Sequence, residues 1–197
     1  MSIYAEKNKK TKQLIQHSFF SILQIKPFDS ITIADITKKA AINRGTFYLH
    51  YIDKFDLLEQ IEQQLFSDLG SHIDELQAHY LSKQTFEKEQ EHLANMLFSF
   101  IAKHASMLKI FFGGHGRAGF HLRFRDSFSQ KVRFNLEQSE HFYTSLSFPI
   151  EYLISFITSA FLGLIEQWIQ NDLDKTPQEM TELYINIILF IQKKGSH

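Results

Sequence analysis

An all-α fold is what this sequence predicts, on three observations. Apolar residues recur at three- and four-residue spacing through most of the chain, no stretch alternates apolar with polar residues as a half-buried strand would, and several segments open with helix caps. At 197 residues, with 44% hydrophobic residues and 20 phenylalanines, the chain has apolar material for one or two small domains with aromatic-rich interiors. The caps divide it into three short N-terminal helices within residues 1–55 and a larger helical bundle over residues 56–197.

The first helix is expected from about Lys7 to Ile25, with Leu14, Ile15, Ser18, Phe19 and Ile22 on its inner face; Pro27 and the sequence PFDS end it. A second, short helix starts at Thr32. There the threonine caps, Asp35 favours the helix N-terminus, and Ile33, Ile36 and Ala40 supply one apolar face. The segment AIN breaks the pattern, and Asn43 is placed to cap a third helix, RGTFYLHY. Asp53 caps a fourth, with Asp56 in its first turn; Phe55, Leu58, Leu65, Leu69, Ile73 and Leu76 make it long and amphipathic, a length that suits an arm between two domains.

Further helices follow: one holding Leu93, Leu97, Phe100 and Ile101, one ending in KIFF at 109–112, and, after the loop GGHGRAG (113–119), one from Phe120 to about Leu136. The last two are the clearest. One runs from Pro149 to Ile169, and the other opens at Thr176-Pro177-Gln178-Glu179, which sets a cap, a first-turn proline and a capping-box glutamate in order.

Three short helices, the second and third separated by three residues, carry the signature of a helix-turn-helix over residues 32–51. The third helix of such a unit must pack one apolar face inward and offer small and polar side chains to a major groove about 12 Å wide. Phe47 and Tyr51 lie four apart and face inward, which leaves Asn43, Arg44, Gly45, Thr46, Tyr48, Leu49 and His50 outside. Gly45 leaves room for close backbone approach, and Tyr48 and His50 reach phosphates or base edges. Lys54 is placed to meet a phosphate. Charge agrees: nine basic and four acidic groups give residues 1–55 a net +5, so the remainder carries −6 of the overall −1. A positive head on a negative body fits a chain that offers only its head to a polyanion.

The stretch Ile31–Leu58, ITIADITKKAAINRGTFYLHYIDKFDLL, resembles the signature of the TetR/AcrR family of regulators, in which T-F-Y-x-H-Y/F-x-x-K-x-x-L ends the recognition helix and opens the fourth. The resemblance implies that Thr32 and Lys54 contact DNA phosphates and that Asn43, Arg44, Gly45, Thr46, Tyr48, Leu49 and His50 contact DNA from the recognition helix. One departure is visible in the turn, Ala40-Ala41-Ile42, whose middle position is often glycine in that family. Alanine in a left-handed turn costs on the order of 1 kcal/mol.

KIFF before a glycine-rich loop, FPIEYLISFITSAFLGLIEQWIQND and TPQEM together resemble the effector domain of a branch of the family common in low-GC Gram-positive bacteria. That likeness implies a homodimer built from the last two helices, a palindromic operator, and a repressor that releases DNA when an unidentified small molecule binds. The sequence supports the dimer independently. Ser155, Ser159 and Gly163 form a small-residue ridge that lets a second helix approach, while Phe156, Ala160, Leu164 and Trp168 follow another stripe. In the final helix, Met180, Leu183, Tyr184, Ile187, Ile188 and Ile191 give more apolar surface than one exposed helix shows. Ser155, Ser159, Gly163, Leu183 and Ile187 are the expected dimer contacts. Phe98, Phe111, Phe124 and Trp168 are core aromatics from which an effector pocket would be drawn.

Other functions find little support. There is no cysteine, so neither a disulfide framework nor a cysteine zinc site exists, and no G-x-S-x-G or H-E-x-x-H marks an enzyme. GGHGRAG lacks a Gly-Lys-Ser/Thr ending and follows no strand, so it reads as an interhelix loop with Arg117 in solvent. Glu89-Gln-Glu-His92 is one Glu-x-x-His motif where helical di-iron sites need two, and His115 and His121 have no patterned third ligand; no metal and no cofactor are expected. The N-terminus lacks the apolar stretch of a secretory signal, and the run Tyr152–Ile165, about 14 residues, is short for a bilayer, so a cytoplasmic protein without membrane contact is expected. The alternatives to a DNA-binding regulator are a helical enzyme and a helical binder of lipophilic small molecules.

Overall fold

The computed structural model describes residues 3–80, 86–113, 115–137 and 148–194, with side chains described throughout except at residues 3, 72–90, 135, 136 and 191–194. The helices are α1 (Ile3–Leu23), α2 (Ile33–Lys39), α3 (Arg44–Tyr48), α4 (Lys54–Tyr80), α5 (Phe86–Lys103), α6 (Ala105–Phe112), α7 (Phe120–Glu137), α8 (Ile150–Gln170) and α9 (Pro177–Lys194), with a 3-10 turn at Phe28–Ser30. The described residues contain no strand. They form two compact units. The first takes Met1–Phe66 together with Ile110–Phe120, and the second takes Ser67–Lys109 and His121–His197. The first unit therefore reaches beyond residue 55 and includes the glycine-rich segment, which the sequence pattern assigned to the second domain.

In the first unit α1 begins at Ile3 and ends at Leu23, earlier at both ends than its periodicity suggested. Ile15, Ser18, Phe19 and Ile22 form its buried stripe, whereas Leu14, expected beside them, is 44% exposed because it sits one position off that stripe. Phe28 in the 3-10 turn meets Phe19 edge-on at 6.2 Å and Phe55 edge-on at 5.1 Å, which plugs the gap between α1 and the start of α4. Ile36, Phe47, Tyr51, Leu57 and Leu58 complete this small core.

The α2–α3 turn is a Schellman motif. Ala41 has φ of 50°, its N–H donates to the Lys38 carbonyl at 3.3 Å, and the Ile42 N–H donates to the Thr37 carbonyl at 3.0 Å. The geometry that glycine would favour is thus kept by an alanine. Replacing Ala41 with Gly should raise stability by about 0.5–1 kcal/mol, read from the midpoint of chemical denaturation; a decrease would mean that the methyl makes a contact outweighing the backbone strain.

In the second unit α5 packs against α9. Phe98 lies among Phe161 (5.1 Å), Trp168 (5.7 Å, edge-on) and Tyr184 (6.4 Å), and the Trp168 indole N–H donates to the Lys175 carbonyl at 3.1 Å, so the ring is buried without an orphaned donor. Phe124 is buried in this unit and Phe111 in the first. The capping signals read at Thr176 are present: Glu179 Oε2 accepts the Thr176 N–H (2.7 Å) and hydroxyl (2.8 Å), while Thr176 Oγ1 accepts the Glu179 N–H (3.2 Å).

By length and composition α8 could cross a bilayer. It nevertheless buries Ile154, Thr158, Phe161, Leu162, Ile165, Trp168 and Ile169 inside the unit, which is how a core helix uses such a composition. The fourth helix keeps its expected pattern at Leu58, Leu65 and Leu69; Ile73, Leu76, Glu89 and Ile191 lie outside the described side chains.

Candidate nucleic-acid interface

The helix-turn-helix places one short helix on the surface with its apolar side sealed. Phe47 and Tyr51 are fully buried, at 0% and 2% exposure, whereas Tyr48 is 55% and Leu49 81% exposed. Asn43, Arg44 and Gly45 are exposed, and Thr46 and His50 are partly so. The helical turns continue past Tyr48, since the Leu49 N–H donates to the Gly45 carbonyl (3.1 Å) and the Tyr51 N–H to that of Phe47 (3.0 Å). All seven recognition-helix residues expected from the sequence are thus wholly or partly exposed. Asn43 stands at the N-cap but caps only with its backbone; its side chain makes no capping bond. A Cβ added at Gly45 would meet nothing within 4 Å, so the fold itself does not require glycine there.

The two residues expected to hold phosphates are engaged elsewhere. Thr32 Oγ1 accepts the Asp35 N–H at 3.2 Å and donates to Asp35 Oδ2 at 2.8 Å, and the Thr32 N–H donates to the same oxygen at 2.8 Å. Its only hydroxyl proton is therefore used inside a capping box. Lys54 Nζ donates to the carbonyls of Phe28 (3.0 Å), Asp29 (2.9 Å) and Ile31 (2.9 Å) and lies 4.8 Å from the centre of the Phe28 ring. An ammonium has three protons, and all three go to the backbone. The 3-10 turn and its exit expose carbonyls that no helix satisfies, and the lysine supplies their donors.

Asp35 also accepts Lys26 Nζ at 2.7 Å, which ties the end of α1 to α2. That hydrogen bond first, and the two from Thr32 after it, hold the Asp35 carboxyl well below the usual carboxylate range. A folded pKa below the unfolded one gives a contribution that is complete above the ordinary aspartate value near ~4 and is lost as pH falls toward the folded value. The melting temperature of Asp35→Asn should accordingly fall less steeply than that of the wild type between about pH 4 and pH 2. Parallel acid limbs would remove Asp35 from the account.

Burial first, and the Lys12 charge second, lower the His50 pKa, so near neutrality the imidazole meets its surroundings uncharged. The Tyr51 hydroxyl is buried without a hydrogen bond of acceptable geometry, although the Gln16 side chain lies close enough to influence it; burial raises its pKa.

Several contacts made by residues distant in the chain were not read from the sequence. The His115 carbonyl accepts the Phe28 N–H at 2.9 Å, and its ring Nδ1 donates to the Leu23 carbonyl at 3.0 Å, which fixes the proton on Nδ1. The Arg117 guanidinium lies 5.7 Å from the centre of the Phe55 ring, and the residue is exposed, as its place in the loop suggested. His121 meets Glu166 at 2.8 Å. Lys12 was not singled out in the sequence at all. Its Nζ donates to Gln60 Oε1 at 3.2 Å and lies 5.6 Å from the centre of the Tyr51 ring. The signal that could have found it is a lysine amid the basic run of α1 with no acid three or four residues away.

On α8, Ser155, Ser159 and Gly163 are exposed, and so are Tyr152, Phe156 and Ala160, which complete one stripe at three- and four-residue spacing. Trp168, read as a member of the Phe156–Ala160 stripe, is instead 2% exposed: the drift of a helix that repeats every 3.6 residues carries position 168 onto the buried face. On α9, Leu183 (37%), Ile187 (38%) and Phe190 (59%) are exposed at matching spacing.

A short helix that shows polar side chains outward and is sealed by two others behind it defines a helix-turn-helix regulator that binds DNA. Residues 21–61 match the family described as bacterial regulatory proteins, tetR family, and residues 88–189 match the transcriptional regulator C-terminal region. The chain belongs to the tetR family. It is 27% identical over 118 residues to the HTH-type transcriptional regulator YxbF of Bacillus subtilis, a match that takes in 60% of this chain and spans only 30% of that relative's length. Among solved structures, the TetR transcriptional regulator of Streptococcus agalactiae superposes with a TM-score of 0.65 at 23% identity, covering 94% of this chain and 97% of that one. FadR of Bacillus subtilis in complex with stearoyl-CoA superposes with a TM-score of 0.63 at 14% identity, covering 89% and 96%. At these identities the likeness shows the fold.

Proposed function

We propose that the protein is a ligand-responsive repressor that works in the cytoplasm as a homodimer, setting two copies of α3 into successive major grooves of a palindromic operator. The exposed helix Arg44–Tyr48, with Tyr48 and Leu49 turned outward and Phe47 and Tyr51 sealed behind it, is the observation that carries this reading. The half-sites would then lie about one helical turn, ~34 Å, apart. Support for the dimer comes from the apolar stripes of α8 and α9, whose exposed Tyr152, Phe156, Leu183, Ile187 and Phe190 give a soluble chain reason to self-associate. Support for a small-molecule effector comes from the shared fold of FadR, which was solved with stearoyl-CoA.

A gel-shift titration against the DNA flanking the protein's own gene, at two salt concentrations and with nonspecific competitor, tests the reading. A salt-sensitive complex that survives the competitor is expected. No shift at micromolar protein, there or on duplexes selected from a random pool, would favour the helical small-molecule binder.

Gly45 offers a sharper probe. Because a Cβ there meets open space, Gly45→Ala should leave the fold as stable or more so, by about 0.5–1 kcal/mol, while weakening DNA binding. Unchanged affinity for DNA would mean that no backbone or base edge comes close to position 45.

A further inference from the structure

We infer that Lys12 of α1 and His50 at the end of α3 together hold one DNA backbone phosphate beside the recognition helix. The inference rests on the DNA-binding reading and adds to it a contact from an element outside the helix-turn-helix proper.

Three observations meet at this spot. Lys12 and His50 lie against the same tyrosine: Lys12 Nζ is 5.6 Å from the centre of the Tyr51 ring, and the His50 and Tyr51 ring centres are 6.3 Å apart. Lys12 is unneutralised, because its hydrogen-bond partner is the neutral Gln60 amide oxygen. The nearby carboxylate is committed elsewhere, since Asp56 Oδ1 accepts the Gln60 side-chain N–H at 3.0 Å and Oδ2 accepts the Ile52 N–H at 2.8 Å. One amide therefore stands between the lysine and the acid.

The contrast with Lys54 decides which cation serves the polyanion. Lys54 has given all three protons to carbonyls, whereas Lys12 has given one and keeps two. His50, partly exposed and kept neutral beside this charge, still carries one N–H to donate. A phosphate between them would gain a charge-assisted bond from the lysine and a neutral one from the imidazole. Tyr51, buried and gripped by Phe47 at 5.7 Å, fixes the spacing.

A phosphate contact is independent of base sequence, so a mixed-sequence 30-base-pair duplex serves as the probe, followed by fluorescence anisotropy between 50 and 400 mM NaCl. Lys12→Gln keeps a polar, though shorter, side chain and drops the charge. It should lower the slope of log affinity against log salt by about 0.9 and weaken binding at 50 mM about tenfold. Lys12→Arg should restore both, and the thermal transition of either variant should stay near that of the wild type. An unchanged slope in Lys12→Gln, with or without a lower melting temperature, overturns the inference and leaves Lys12 as a partner of Gln60 while the DNA-binding reading stands. A wild-type protein that binds neither this duplex nor selected ones brings down the DNA-binding reading itself, and the inference with it.

Discussion

Lys54→Met should cost the N-terminal unit about 2–3 kcal/mol and leave the salt dependence of DNA binding unchanged. Three charge-assisted bonds to Phe28, Asp29 and Ile31 carbonyls are lost at once, and the methionine cannot replace a single donor. Phe28 and Phe55, whose rings flank the ammonium, keep an apolar contact in the variant, so the loss isolates the hydrogen bonds. The carbonyls belong to a surface turn, and water partly replaces the lysine, which keeps the cost well below that of three buried bonds. The single tryptophan, Trp168, belongs to the second unit. Urea unfolding followed by its fluorescence therefore serves as an internal reference for far-ultraviolet dichroism, to which the first unit contributes. Stability equal to wild type, together with a salt slope lower by about 0.9, would return Lys54 to the phosphate role that its sequence position suggested.

Phe156→Glu should dissociate the proposed dimer. Phe156 is 58% exposed in the middle of α8, flanked on one stripe by Tyr152, Ser159, Ala160 and Gly163. A large aromatic left open between small residues is the geometry of an interface anchor, and a carboxylate buried there without a partner opposes association. The dissociation constant should rise on the order of 100-fold, read by analytical ultracentrifugation, and affinity for a two-half-site operator should fall with it. Because the side chain points away from the buried stripe of Ile154, Thr158, Phe161 and Ile165, the chain should still fold with its helical content intact. A variant that keeps wild-type mass in solution would move the interface off this stripe.

What the sequence made legible here follows the range of the interactions. The capping box at Thr32 and Asp35, the one at Thr176 and Glu179, and the bonds that Asp53 Oδ1 accepts from the N–H groups of Phe55 and Asp56 all close within three residues, so residue types at fixed offsets announce them. Ala41 could be suspected of a left-handed conformation because it stands where a helix must stop and turn, and its φ of 50° fits that reading. The surface of α3 was legible for the same reason: Phe47 and Tyr51 fix one face, and the remainder follows from the helical repeat.

The misses are long-range. The carbonyls that occupy Lys54 lie 23 to 26 residues back in the chain, Lys12 finds Gln60 across 48, and His115 finds Leu23 across 92. No periodicity encodes such pairs. The family motif places Lys54 by its position in the pattern, and its three carbonyl partners follow from where the 3-10 turn leaves them. The contacts of the glycine-rich segment were not legible for a related reason, since composition says that a loop bends but not what it touches. Face assignment failed more mildly, at Leu14 and Trp168, where a residue one position off the stripe, or a stripe extended over more than three turns, exceeds what a repeat of 3.6 can resolve.

The central claim is that this chain reads duplex DNA through paired copies of α3, and selection from a random-sequence duplex pool tests it most directly. Enriched duplexes should converge on an inverted repeat with half-site centres about 10 base pairs or a multiple apart, bound by chains in even number. Enrichment of no sequence, or of an asymmetric site held by a single chain, would contradict it.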